Sequence, residues 1–245
     1  MSPVTPKAAA ENRLLRSLPA PDRVEIAAAL ELRELKHGET VIGPWEPVTE
    51  LFFPVSSIIS VVSETAEGQS VEVATVGREG VVGAAAFFGS SVSPLRTMCQ
   101  IAGSALVGRT ADLVAEDGDS AFRTSVLRYS QTVLIQASVT AACNRLHPLE
   151  QRGARWLLTI SDRMGASKFA LTHEFFAIML GAHRPSVSLA AQVLQKAGLI
   201  TYHRGEIEIL DRSGLIDAAC SCYRTIAEHY ETTMGIKLGG DNGTA

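Results

Sequence analysis

The sequence predicts an α+β chain in three parts: a small antiparallel β domain of the sandwich or barrel type, a long helix, and a C-terminal winged helix-turn-helix. Three observations carry this. After Gly38 the chain becomes a series of short runs rich in β-branched and aromatic residues, separated by Pro, Gly and small polar residues. Residues 118–147 then lack strand alternation and place apolar residues at helical spacing. Finally, "LTHEFFAIMLGAHRPSVSLAAQVLQKAGLI" encodes two helices around a tight turn, and the run after it, "LITYHRGEIEIL", encodes a hairpin.

Taken in order, residues 12–35 show helical periodicity through Leu14, Leu15, Leu18, Val24, Ile26 and Leu30, with Pro19 and Pro21 breaking the run into two short helices. The expected strands follow in "ETVIG", "ELFFPVSSIISVVSE", "SVEVATVG" and "RTMCQIAGSALVGR". In the long helix, from about Ser120 to Arg145, the residues Phe122, Val126, Val133, Ala137, Thr140, Ala141 and Asn144 lie near one stripe. That stripe is narrow enough to suit a partner helix, so a homodimer seam is expected there. Pro148 ends this helix after His147, and the next begins at Leu149 across a hinge.

In the reading head, Thr172 can cap the first helix, Glu174 suits its positive end, and Gly181 can supply the left-handed residue that ends it. Pro185 marks a helix start, because the first turn has no intrahelical partner for the N–H that proline lacks. Phe176, Leu180 and Val187 can bury themselves between the two helices, with small Ala177 allowing close approach. The second helix is then shaped to enter a DNA major groove. Arg184 and Ser188 are expected to face base edges, Arg184 as a bidentate reader of guanine. His183, Ser186 and Arg204 are assigned to phosphates, which position without specifying. Leu189 either meets a thymine methyl or packs, and Thr172 and Pro185 complete the surface assigned to DNA.

Bulk properties agree with a globular chain of 245 residues, 46% hydrophobic and 20% charged. A net charge of −4 does not by itself indicate nucleic acid, but residues 150–212 hold eight Lys or Arg against six Asp or Glu, plus three histidines. The N-terminus has no signal-peptide core and no apolar run approaches the length of a bilayer span, so a cytoplasmic protein without membrane contact is expected. Cys99, Cys143, Cys220 and Cys222 are too few and scattered for a disulfide framework and are expected to be reduced. Cys220 and Cys222 have neither redox-motif spacing nor a second pair for zinc, so they read as helix-packing residues, and no metal ligand is assigned.

Three segments carry a family resemblance: "GREGVVGAAAFFG", "CNRLHPLEQRGARWLL" and the reading head of residues 171–200. From about Leu14 to about Tyr223 the chain resembles the Crp/Fnr superfamily of bacterial transcription regulators. The resemblance implies a jelly-roll-like antiparallel β-roll of cyclic-nucleotide-binding type over residues 12–117 with the N-terminal helices, a dimerisation helix over 118–147, a winged helix over 148–223, and an extension over 224–245 ending in a disordered "GGDNGTA". It also implies a palindromic double-stranded operator, a homodimer and contact with RNA polymerase.

The family's nucleotide cassette is a Gly-Glu-Leu turn followed by Arg with Ser or Thr, in which helix N–H groups and arginine hold the phosphate and the glutamate accepts from the ribose. Gly83 matches the glycine and Arg96-Thr97 the phosphate end, while Ala84 occupies the glutamate position. The cyclic AMP site is therefore expected to be altered or absent, leaving the effector unidentified. An iron-sulfur cluster of the oxygen-sensing members needs cysteines near the N-terminus, where this chain has none before Cys99; His37, the only histidine before His147, reads as a surface or packing residue and not a haem ligand. Pro185 and Leu189 replace the family's recognition-helix glutamate and second arginine, so the catabolite-activator half-site is not expected. No cofactor and no catalytic residue are assigned. The alternative readings are a small-molecule-binding module whose winged helix contacts protein, and a thiol enzyme using Cys220 and Cys222, for which no base or nucleophile constellation is present.

Overall fold

The structure, a computed structural model, describes residues 4–89, 92–114 and 120–239. The chain divides into two units, one of residues 1–62 and 75–134, the other of residues 63–74 and 135–245. Among the described residues no helix is long and apolar enough to cross a membrane.

The first unit begins with three short helices, α1 (Pro6–Ala9), α2 (Arg13–Arg16) and α3 (Ala20–Ala28). Asn12 anchors them: its Oδ1 accepts from Leu15 N, and its Nδ2 donates to the carbonyls of Pro54 and Gly80 at 2.9 and 3.0 Å. That satisfies a fully buried amide and the first turn of α2 together. The run is divided into two short helices, α2 and α3, at the expected prolines. Pro19 caps α3 and Pro21 sits in its first turn, the position its ring favours.

The strands are β1 (Glu31–Leu35), β2 (Thr40–Ile42), β3 (Glu50–Pro54), β4 (Ile58–Glu64), β5 (Ser70–Val76), β6 (Arg96–Ile101) and β7 (Gly103–Arg109), followed by the short α4 (Thr110–Leu113). They form two sheets, in the orders β1-β7-β3 and β2-β6-β4-β5, with antiparallel β1–β7, β3–β7 and β4–β6 pairings. The sequence predicts helical periodicity as far as Leu35, and there the structure differs. Residues 31–35 pair with β7, from Glu31 opposite Val107 to Leu35 opposite Gly103, and Arg33 binds Glu50 and Glu31. The ladder satisfies every second backbone group of a segment too short to form a stable helix alone, and it overrides the local pattern.

The long helix is α5 (Ala121–Leu146), at the expected place. Part of its stripe packs within the chain. Phe122 and Val126 are buried in the chain's own core, with the Phe122 ring 6.1 Å from Phe53 and 5.6 Å, edge-on, from Phe87. Tyr129 is buried as well, and its ring fills the space that a Cβ on Gly80 would need.

The second unit contains the end of α5, then α6 (Leu149–Met164), β8 (Lys168–Ala170), α7 (His173–Leu180), α8 (Arg184–Lys196), β9 (Ile200–His203), β10 (Glu206–Ile209), α9 (Arg212–Ala218) and α10 (Cys222–Met234). Pro148 stands at the N-cap position of α6, and the break between the two helices falls where the sequence places it. Strand β8, which the sequence does not reveal, joins the hairpin in a β8-β10-β9 sheet. The core of this unit mixes apolar and polar groups. Trp156 lies 5.2 Å from Phe176, and its Nε1 donates to Glu72 Oε2 at 2.7 Å. Asp162, buried, binds Arg212 at 2.6 Å and accepts from the Tyr223 hydroxyl at 2.8 Å. Arg163 donates to Gln136, which also accepts from Tyr230 of α10. Most of the expected 224–245 extension thus belongs to a helix with Ile226 and Tyr230 buried; of its end, expected to be disordered, residues 240–245 lie outside the described ones.

Candidate nucleic-acid interface

Punctuation residues build the reading head. Thr172 Oγ1 accepts from Phe175 N at 3.1 Å and starts α7, while Gly181, at φ +55°, ends it in the left-handed conformation that costs glycine least. His183 then stands at the N-cap of α8 and Pro185 occupies its first turn. Val187, Ala190, Ala191 and Leu194 face inward, and Phe176 and Leu180 of α7 are buried. The opposite face of α8 is free of the core.

That outer face is where the assigned residues divide. His183, Arg184, Pro185 and Ser186 are exposed at the N-terminal end. Leu189, left open between packing and contact, is 60% exposed and belongs to the outer face. Gln192 and Val193 continue that face one turn on, and the sequence reading misses both. The signal is available, because three and four residues past Leu189 is the same helical face.

Two residues have intramolecular partners. Arg184 Nη1 lies 2.8 Å from Glu174 Oε1, with both side chains about 60% exposed. An ion pair this open is worth about 0–1 kcal/mol, so a phosphate or guanine can compete for the guanidinium. Ser188 is half-buried, and its Oγ is 2.9 Å from His173 Nδ1. The His173 ring meets Tyr202 edge-on at 4.4 Å, and the Tyr202 hydroxyl donates to the Leu171 carbonyl. Ser188 therefore ties α8 to α7 and β9. Burial raises the Tyr202 phenol well above its ordinary range, which keeps it a neutral donor.

The wing is a tight hairpin. Arg204 and Gly205 take φ +49° and +79°, the double left-handed turn that matches strand twist, and Arg204 is exposed at its tip.

In the first unit Gly83, at φ +96°, precedes a single tight turn of helix over Ala84–Phe88. A Cβ there would meet the Glu50 carbonyl at 2.8 Å, so close approach of the backbone requires glycine. Ala84 is half-buried and offers no acceptor beyond its backbone. Arg96 and Thr97 open β6, where Thr97 Oγ1 donates to the Ile42 carbonyl at 3.4 Å. Phe87 points into the core against Phe122 and away from any ligand role. His37, exposed, lies 2.6 Å from the Gln100 carbonyl through Nδ1.

Residues 151–218 match the Crp-like helix-turn-helix domain. No curated protein sequence matches the chain. Among solved structures, a CRP-family transcriptional regulator from Thermus thermophilus is 20% identical at a TM-score of 0.65, over 76% of this chain and 96% of that one. FixK2 from Bradyrhizobium japonicum is 17% identical at 0.67, over 78% and 98%. CLP from Xanthomonas campestris, a global regulator responsive to c-di-GMP, is 15% identical at 0.62, over 78% and 99%. The fold they share is the one described above.

Proposed function

We infer that this chain, which carries a Crp-like helix-turn-helix domain within a Crp/Fnr fold, is a DNA-binding transcription regulator. The observation that carries the reading is the outer face of α8, where Arg184, Pro185, Leu189 and Gln192 stand clear of the core on a helix whose first turn is set by proline. A helix of this kind reads base edges through its first turns. In this assignment Arg184 is the guanine reader, Leu189 meets a thymine methyl, and Ser188 supports the helix and does not read. His183, Ser186 and Arg204 hold phosphates, and Thr172 aims the first helix. The protein acts in the cytoplasm without catalysis, on a palindromic operator and in contact with RNA polymerase.

The dimer forms through α5. With Phe122 and Val126 buried internally, the seam falls to Val133, Leu134, Ala137 and Ala141, of which Leu134 is 64% exposed. Two copies place two recognition helices on successive turns of one DNA face. The roll, with Ala84 where a ribose acceptor would stand, does not receive cyclic AMP in the standard way. The nucleotide-responsive Xanthomonas neighbour makes other nucleotides worth testing as effectors. The decisive test is binding to a palindromic duplex over a salt series: a steep loss of affinity with salt, together with preference for one symmetric sequence, supports the reading. Salt-independent binding, or binding to protein alone, rejects it.

A further inference from the structure

We propose that Cys143, His147, Cys220 and Cys222 form a structural zinc site. The sequence separates them into two pairs more than seventy residues apart, and the fold brings the pairs together. Cys143 and His147 stand four residues apart, one helical turn, at the end of α5. The His147 N–H donates to the Cys143 carbonyl at 3.1 Å, so the turn continues past Leu146 and both side chains share a face. Cys220 and Cys222 flank Ser221 at the corner where α9 gives way to α10. The second pair, whose absence argues against zinc in the sequence, is Cys143 and His147.

The geometry favours a tetrahedral ion. The four ligand atoms all lie within 4.8 Å of one another; Cys143 Sγ is 3.4 Å from Cys220 Sγ, and Cys222 Sγ is 3.6 Å from His147 Nδ1. Zinc bonds of about 2.3 Å to sulfur and about 2.0 Å to nitrogen imply tetrahedron edges of about 3.8 Å and about 3.5 Å. The side chains already span such a polyhedron. A disulfide needs its sulfurs at about 2.05 Å, more than an ångström closer than Cys143 and Cys220 stand.

The chemistry agrees. Thiolate with imidazole selects zinc over the hard cations, and four protein ligands leave no open position for catalysis. All three cysteines are buried and His147 is partly covered, which suits a closed structural centre. Three thiolates and a divalent ion leave one negative charge. Arg155 is buried beside them, its Nε makes no hydrogen bond, and its charge acts on Cys143. A buried guanidinium needs such a counter-charge, and an anionic zinc-thiolate centre supplies it. The site would fasten the last turn of α5 to the α9–α10 corner, across the hinge at Pro148. The ion is thus a clip within the DNA-reading unit.

The test uses the full chain, purified without chelator, with metal content measured by elemental mass spectrometry and Co2+ exchanged for the native ion. The expected results are one zinc per chain and, with Co2+, the intense visible bands and thiolate charge transfer of a tetrahedral site. Cys143→Ser and Cys222→Ser should each lose the metal. Cys99→Ser, which alters the remaining cysteine outside the site, should retain it. If the site variants fail to fold, the metal content and cobalt spectrum of the unaltered protein still decide. Metal-free chain that takes up neither Zn2+ nor Co2+ stoichiometrically overturns the proposal, as does a six-coordinate cobalt spectrum or a Cys143–Cys220 disulfide in freshly purified protein.

Discussion

Each of the two units of this chain is stabilised internally by different means. In the first, the rings of Phe53, Phe87 and Phe122 meet in the buried centre, and the buried Asn12 and Glu79 side chains are tied to backbone groups. In the second, the buried charged groups pair with other side chains: Asp162 with Arg212 and Tyr223, Arg163 with Gln136, and Glu72 with Trp156. The contrast teaches where specificity lies. Packed rings tolerate exchange of shape for shape, while a network of side chains that bond one another holds one arrangement and is costly when half dismantled. The unit that presents α8 holds its helices through such a network, and the roll carries at position 84 an alanine, whose side chain offers no acceptor.

This comparison can be broken first in the second unit. Asp162→Asn leaves Arg212 and Tyr223 without their anion and should cost about 3 kcal/mol, the low end for a disrupted buried pair because the Arg212 side chain is 29% exposed. Urea titration read by tryptophan fluorescence checks it, since Trp156 belongs to the same unit. In the first unit the vulnerable point is shape. Gly80→Ala would place a Cβ about where the Tyr129 ring lies, 2.1 Å from its Cζ, and overpacking of this kind costs about 1–3 kcal/mol. Thermal unfolding of that variant should show a lowered first transition.

The chemical blankness of the roll gives a third expectation. A lost hydrogen bond to a charged group is worth about 1.5–3 kcal/mol, so cyclic AMP should bind about ten- to a hundred-fold more weakly than to a roll with the carboxylate. Calorimetry on the chain and on Ala84→Glu compares the two directly; equal affinity would remove Ala84 from the argument. Smallest is the seam. Leu134→Asp puts a charge on a residue exposed within the chain, so folding should survive while association weakens at least about tenfold, measured by sedimentation.

Local signals are legible in the sequence and distant ones are not. Thr172, Gly181, Pro185 and Gly205 each dictate backbone conformation at their own position, and the helix-turn-helix and wing stand where those residues put them. Strand β1 reads as helix because the three-residue spacing of Leu32 and Leu35 also fits one, and only the partner strand β7 decides between them. The bond from Ser188 to His173 is not legible, since the partner lies on another helix. The cysteine cluster is the extreme case: each pair alone carries no ligand signature, and the signature exists only after α5 and the α9–α10 corner meet.

In the proposed function α8 reads sequence through Arg184. The direct measurement is selection of bound duplexes from a random pool, run in parallel with the unaltered protein and with Arg184→Ala and Arg204→Ala. The account predicts one symmetric motif for the unaltered chain, and for Arg184→Ala a loss of about 1–3 kcal/mol per half-site with preference relaxed at one symmetric pair of positions. Arg204→Ala should weaken all sequences alike and lower the salt dependence by about one counterion per site. If Arg184→Ala recovers the same motif with undiminished preference at every position, Arg184 does not read a base and the recognition surface lies elsewhere.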